Sequence, residues 1–424
     1  MEPLMSRLFS GNLDDVLLRL YGAEHLSAAR TRCIALVSTF QKVFGAEPTA
    51  LFSAPGRTEL GGNHTDHQHG CVLAAAVNLD ALAAVRPNRS GMIRVYSEGY
   101  TPFTVDLHDL SPGAEECGTS VALVRGIAAR MAELGHPMQD AGAEICIVSE
   151  VPGGSGLSSS AAFEVLIGTT LNTLFCGGSF SPLEIAQIGQ YAENVFFGKP
   201  CGLMDQTSSS IGGAVAIDFT DPAAPIVEQV PLDLQAYGYA LCILDSGAGH
   251  ADLTSEYSAI TDELKAICRC FGKEFLREVP EKDFLPALPE VRRSVGDRAV
   301  LRALHFYGEN RRAVQEAAAL RRGDFTAFLR LVQESGNSSA MYLQNIIPHG
   351  QTRQQALMFT IALCEKILGG SGAVRVHGGG FGGTAQAFVP LEQLSGFQQQ
   401  AEAVLGTGSC RCVSIRTVGG TQLA

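Results

Sequence analysis

From Glu144 to Leu174 the chain reads as an apolar strand, a turn rich in glycine and serine, and a helix. The strand is Glu144–Val148. The turn is Pro152-Gly153-Gly154-Ser155-Gly156-Leu157-Ser158-Ser159-Ser160. Phe163, Ile167, Leu171 and Leu174 then recur on one helical face. This succession commits the chain to a mixture of α and β structure, and it is also a way to hold a phosphate. Glycines let the backbone approach an anion, and N–H groups of the turn and the helix N-terminus point at it. The hydroxyls of Ser158, Ser159 and Ser160 can add contacts or reach a magnesium ion. The plainer alternative is a serine-capped helix after an ordinary loop. The turn is not a Walker A loop, because G-K-[ST] occurs nowhere in the chain.

Helical spacing is expected over residues 1–45, at Leu13, Leu17 and Leu20 and again at Ile34, Val37, Phe40 and Phe44, with Pro48 ending it. Strand-like runs follow near Leu51–Ala54, Val72–Ala76 and Met92–Ser97. A helix is expected over Pro182–Phe197, a strand over Tyr239–Leu244, mostly helix from 255 to 370, and strands at Ala373–Val376 and Thr384–Val389. A chain of 424 residues exceeds what one core usually organises. Two domains are therefore expected, 1–215 and 216–424, divided after Gly212-Gly213.

Hydrophobic residues make up 46% and charged residues 17%, enough apolar material to exclude disorder as the main state. The formal net charge of −12 repels nucleic acid and anionic lipid, so neither is an expected partner. The twelve cysteines are scattered, several inside apolar runs, and no C-x-x-C occurs. That pattern fits free thiols in a reducing cytosol better than a disulfide framework or a zinc site. The start does not read as a signal peptide, and no apolar run approaches the length of a membrane span. A monomer is compatible with these features.

Two further segments could carry chemistry. Ala54-Pro55-Gly56-Arg57-Thr58-Glu59-Leu60-Gly61-Gly62-Asn63-His64-Thr65-Asp66-His67-Gln68-His69-Gly70 packs polar groups of every type between apolar runs. It could bind a polyol, or it could be a polar surface turn. The spacing of its three histidines fits no standard zinc set. In the other segment, Gly378, Gly380 and Gly383 match G-x-G-x-x-G literally, but too little chain follows for a Rossmann unit. A tight glycine turn packed beside another site is the better reading.

Taken together these segments resemble, in order and spacing, the three motifs of the GHMP small-molecule kinases, and within them the galactokinase family. Phe40-Gln41-Lys42-Val43-Phe44-Gly45 with Pro48 and Ala54-Pro55-Gly56-Arg57 is similar to that family's N-terminal signature. Val151–Ala161 resembles the second motif, and Cys201-Gly202-Leu203-Met204-Asp205-Gln206 resembles the segment bearing the catalytic aspartate. Asp245-Ser246, His250, Ser255-Glu256-Tyr257 and Gly378–Gly383 match as well. The resemblance implies an α+β, two-domain GHMP kinase-like fold with the active site in the cleft between the domains. It implies an ATP-dependent sugar 1-kinase using Mg²⁺.

By the same resemblance Asp205 takes or orients the proton of the sugar 1-hydroxyl. Arg57 keeps that carboxylate ionised and steadies the transferring phosphoryl group. Pro152–Ser160 holds ATP, Ser160 and Glu193 contact magnesium, and Asn63, His64, Asp66, Gly202, Asp205 and Tyr257 contact the sugar.

The departures fall at the sugar end. Where the family reads G-R-x-N-[hydrophobic]-[hydrophobic]-G-E-H-x-D-Y, this chain has Glu59 for the Asn, Gly61 for the second hydrophobic residue, Asn63 for the Glu and His67 for the Tyr. The missing Glu contacts the C6 hydroxyl of galactose in the family. The neutral Asn63 could serve that hydroxyl with a weaker bond, or tolerate a C6 carboxylate. Galactose is the expected substrate, with galacturonate or another modified hexose as the alternative. A non-catalytic sugar sensor is a remote third reading, since Arg57, Ser159, Ser160, Ala161 and Asp205 are all present. About 30 N-terminal residues, within an extension of 1–35, have no counterpart in the resemblance.

Overall fold

The N-terminal spacing is realised as three helices, α1 (Leu4–Phe9), α2 (Asp14–Tyr21) and α3 (Leu26–Phe44), in a computed structural model that describes residues 2–154, 156–249 and 253–424. Ser155 and His250, both singled out above, lie outside the described residues. The chain continues through β1 (Ala50–Gly61), β2 (Cys71–Pro87), β3 (Met92–Ser97), β4 (Phe103–Asp106), α4 (Ser120–Glu133), β5 (Ala143–Ser149), α5 (Ser159–Phe175), α6 (Pro182–Tyr191), α7 (Met204–Ile211), β6 (Ala214–Asp218) and β7 (Ile226–Val230). Then come β8 (Tyr239–Asp245), α8 (Thr254–Cys270), α9 (Glu281–Val295), α10 (Asp297–Arg321), α11 (Phe325–Ser338), α12 (Ala356–Leu368), β9 (Ala373–His377), β10 (Thr384–Pro390), α13 (Leu394–Leu405), β11 (Cys410–Val413) and β12 (Thr421–Gln422).

Two sheets organise the described residues. The first has the order β12-β1-β2-β5-β3-β4, with β6 also on β2 and β7 on β6; the second is β11-β8-β10-β9. β2 is long enough to serve two neighbours, pairing β6 through Cys71–Ala75 and β5 through Ala81–Pro87. Strand alternation explains the layers. Ala81, Ala83 and Val85 face the core with α4 and α5, beside Phe52, Ile127 and Leu166. Leu82 and Ala84 face the other way and are covered by Leu17, Val37 and Phe40 of the N-terminal helices. The extension thus covers one face of the first sheet. It is also tied there by charge: fully buried Asp80 accepts from Tyr21 Oη at 2.5 Å and Arg416 Nη1 at 2.9 Å, and pairs with Arg32.

A shared core joins the two sheets, since Leu60, Leu73, Val151 and Leu157 pack with Leu241, Phe328 and Phe388. The division expected after residue 215 falls inside β6, and the first sheet keeps the chain as far as Val230. β12 also returns from the C-terminal end to pair with β1. Sequence periodicity missed this because β6 and β7 are short, and β7 is largely exposed.

Candidate active site

Strand β1 carries two register shifts against β2, between Pro55 and Arg57 and between Glu59 and Gly61. Such irregularities re-aim side chains, and here they bracket Arg57. Gly56 lets β1 lie against the phosphate-type turn: a Cβ there would sit 2.7 Å from the Leu157 carbonyl oxygen. The Arg57 N–H donates to that same oxygen at 3.0 Å. The Arg57 guanidinium then bridges α7 and the turn, with Nε donating to Asp205 Oδ1 at 2.7 Å and Nη1 to the Gly156 carbonyl.

Asp205 stands in the first turn of α7, where the helix dipole favours a carboxylate. Its other oxygen accepts from the Ser158 hydroxyl. Ser158 reaches it from a left-handed backbone, φ +61°, a sparsely populated conformation for a serine and one associated with functional sites. Burial pushes the Asp205 carboxyl up, but Arg57 and Ser158 push it down further, so it lies below its ordinary value. The side chain is 31% exposed, so a ligand can reach it.

The turn itself is open. Gly153 and Gly154 are exposed, Pro152, Gly156, Ser158, Ser159 and Ser160 are partly so, and Leu157 is buried as an anchor. Its floor is the third motif. A Cβ on Gly156 would meet His377 Nδ1 at 2.9 Å, and one on Gly378 would lie 3.5 Å from the Gly156 Cα. The glycine turn at 378–383 is therefore packing beside the phosphate-type turn, as its sequence suggested.

Glu193 belongs to a π-helical stretch, Ala192–Phe197, that continues α6; such bulges recur at functional sites. Its side chain is 4% exposed, with Oε1 3.1 Å from Lys199 Nζ and Oε2 accepting from Gln206 Nε2 at 3.0 Å. Gln206 Nε2 also donates to Glu164 Oε2 at 2.9 Å. Burial and the nearby Glu193 raise Glu164 well above its ordinary value. Burial opposes the Lys199 charge, but Glu193 more than offsets it and its pKa is raised. One carboxylate and one hydroxyl, Ser160, completed by substrate phosphates, is a donor set that suits Mg²⁺.

At the sugar end, His64 also has a left-handed backbone, φ +61°. Its Nε2 lies 2.9 Å from the Gly379 carbonyl oxygen. A carbonyl only accepts, so Nε2 carries the hydrogen. Burial, the largest influence, lowers the imidazole to about 4, so it is neutral and Nδ1 presents a lone pair. The Tyr257 ring stacks 6.5 Å away, with its hydroxyl donating to the Gly380 carbonyl at 2.9 Å. Gly202 abuts Asp66, since a Cβ there would be 2.0 Å from Oδ2. Asp66, Gly202 and Asp205 are thereby brought to one place.

Asn63 is different. It has no exposed surface, and its amide is committed within the protein. Nδ2 donates to Glu59 Oε1 and the Gly378 carbonyl, both at 2.9 Å. Oδ1 accepts from Asn345 Nδ2 at 2.9 Å and Ser339 Oγ at 3.2 Å. With two donors and two lone pairs in use, nothing is left for a sugar hydroxyl. Of the other departures, Glu59 joins this network, Gly61 packs beside it, and His67 is exposed. Glu59 accepts from Arg375 Nη2 at 2.5 Å. Gly61 makes room for the buried Glu316, whose Oε2 would be 1.7 Å from a Cβ there.

Residues that sequence reasoning missed hold this loop from the C-terminal side. Glu309 Oε1 accepts the N–H groups of Gly62 at 3.0 Å and Asn63 at 3.3 Å, while Oε2 pairs with Arg312 at 2.8 Å. His305 Nε2 lies 3.0 Å from the Asn63 carbonyl oxygen. His305, Glu309 and Arg312 share one face of α10 at helical spacing, which was the available signal.

The galactokinase galactose-binding signature matches residues 38–87, and the N-terminal domain of GHMP kinases matches residues 122–213. A galactokinase of Streptomyces coelicolor is 33% identical over 86% of this chain and 90% of the relative. A galactokinase of Homo sapiens is 36% identical over 81% of this chain and 84% of its own length. The structure of Lactococcus lactis galactokinase complexed with galactose superposes with a TM-score of 0.76 at 27% identity, covering 91% of this chain and 98% of the other. A mevalonate kinase, at 14% identity, shares the fold with a TM-score of 0.59 over 87% of this chain and 99% of its own. With an arginine–aspartate pair bonded to a glycine-serine turn in a two-domain α+β fold, the fold and site define a GHMP-type kinase, a phosphotransferase acting on a small-molecule alcohol. Within that class, the chain belongs to the galactokinase family.

Proposed function

We propose that this protein transfers the γ-phosphoryl group of ATP to the 1-hydroxyl of galactose. The contact that carries the reading is the one joining Arg57, Asp205 and Ser158, which sets an ionised carboxylate against the phosphate-type turn. Asp205, held below its ordinary value, is a firm hydrogen-bond acceptor and a weak base. It orients the hydroxyl and takes its proton late, which suits the loose transition state of phosphoryl transfer. The sugar oxygen bonds to the γ-phosphorus as the bond to the bridging oxygen breaks, and ADP leaves with that electron pair. Arg57 supplies a fixed cation beside the developing charge. His64 Nδ1, Asp66, the Gly202 backbone and Tyr257 surround the sugar.

Ser160 and Glu193 would hold Mg²⁺, which when bound neutralises charge on the phosphates. Residues 152–160 cradle the nucleotide. We divide the chain between Val230 and Tyr239, where the first sheet releases it and the second begins. Twelve unpaired cysteines support a cytosolic setting, and no described helix is long and apolar enough to cross a membrane.

The argument for galacturonate rested on Asn63 facing C6, and its committed amide removes that basis. The test is coupled ADP release across galactose, galacturonate, N-acetylgalactosamine, glucose and arabinose. Galactose should give the highest kcat/KM, and equal or better turnover of another sugar would displace it.

A further inference from the structure

Lys199 occupies a position in the cleft that no motif accounts for. It follows the π-helical stretch, and its backbone N–H donates to the Glu193 carbonyl at 3.1 Å, which fixes where the side chain starts. The ammonium is 3.1 Å from Glu193 Oε1, yet the side chain remains 62% exposed. One of its three N–H groups is engaged and two face outward. The carboxylate that holds it also accepts from Gln206 Nε2 at 3.0 Å, and Gln206 follows Asp205 directly in α7, so the ammonium is tied to the helix turn that carries the catalytic carboxylate.

Arg57 is only 8% exposed and fixed by bonds to Asp205 and the Gly156 carbonyl, so it cannot follow an incoming phosphate. A triphosphate entering a protein of net charge −12 needs local positive charge. A lysine is suited to supply it: a compact charge on a flexible stem that can change partners.

We propose that Lys199 is a catalytic residue: tethered to Glu193 in the ligand-free protein, its ammonium contacts the γ-phosphoryl oxygens of bound nucleotide and stabilises their charge during transfer. The inference rests on the kinase reading above. Glu193 would hold the metal, which would leave the Lys199 ammonium free to turn to the phosphates. Without metal, its two outward N–H groups still offer the nucleotide a contact.

The experiment compares wild type, Lys199→Met and Lys199→Arg by calorimetric titration with ATP in EDTA and in Mg²⁺, and by turnover. Lys199 is exposed, so Lys199→Met should keep the wild-type melting temperature and galactose affinity. It should bind ATP in EDTA about tenfold more weakly and lower kcat about 10²-fold, with Lys199→Arg recovering part of both. Should the lysine only neutralise Glu193, Lys199→Met will bind ATP in EDTA like wild type, bind Mg²⁺-ATP as well or better, and keep its kcat. That result overturns the proposal. A wild type that binds no ATP and phosphorylates no sugar would instead overturn the kinase reading, and this inference with it.

Discussion

The segments Glu59–Asp66 and Pro152–Ser160, which the proposed reaction assigns to sugar and nucleotide, are held in opposite ways. In the first, Glu59, Asn63 and Thr65 are buried, and the backbone at 60–63 is bonded by Arg375, Glu309 and His305 from distant elements. In the second, Gly153 and Gly154 are exposed and Ser158, Ser159 and Ser160 partly so, with Leu157 as the buried anchor. A sugar is small and neutral, and its hydroxyls are told apart only by groups fixed in advance. A triphosphate is large and highly charged, and it brings much of its own organising force. On the proposed function, the rigid side would set specificity and the open side would admit the nucleotide.

The sharpest break lies where the two meet. Asp205→Asn and Arg57→Ala should each lower kcat by about 10²–10³ with little change in ATP affinity. Near-normal turnover in either variant would remove that residue from the mechanism.

Asn63→Glu probes the rigid side. It sets a second carboxylate against buried Glu59 and removes the donor to the Gly378 carbonyl. Destabilisation of about 3 kcal/mol is expected, from an uncompensated buried charge. Exchanging the pair, Glu59→Asn with Asn63→Glu, should recover much of it, and denaturant titrations of the three variants decide. Equal stability of single and double variants would mean that the two side chains do not interact.

Glu309→Gln should raise KM for galactose about tenfold and leave KM for ATP unchanged, as charged hydrogen bonds to the loop are weakened. Ser160→Ala should do the reverse, weakening the thermal stabilisation by Mg²⁺-ATP while sparing galactose. If both variants moved both constants together, the two segments would be one mechanical unit and the contrast would be lost.

The smallest effect is a pH dependence. His64 titrates near 4 in the folded protein, chiefly because it is buried, against about 6.5 in an unfolded chain. As pH falls from about 6.5 to about 4, the unfolded state takes up the proton first. The contribution of His64 to stability is therefore full at pH 7 and lost through that window. KM for galactose should stay flat from pH 8 to 5, and a rise already at pH 6 would show that His64 is not held neutral.

What was legible in the sequence was local. Met92–Ser97 is a strand as the pattern said, and Pro182–Phe197 is helical throughout, its last turn widened to a π-helix. Periodicity and turn chemistry act over a few residues, so a linear reading captures them. Motif order carried Arg57 and Asp205 into one site although 148 residues separate them. Asn63 shows the limit. Position in a motif made it a sugar contact, but its amide is consumed by Glu59, Gly378, Ser339 and Asn345.

The sequence by itself determined the succession of strands and helices and the glycine-serine turn, because each depends on neighbours along the chain. Only the tertiary structure decided which polar groups remain for a ligand. That depends on partners hundreds of residues away, such as the Gly378 carbonyl 315 positions from Asn63. A buried polar group takes whichever partner the fold brings to it, because leaving it unpaired costs more than any local preference.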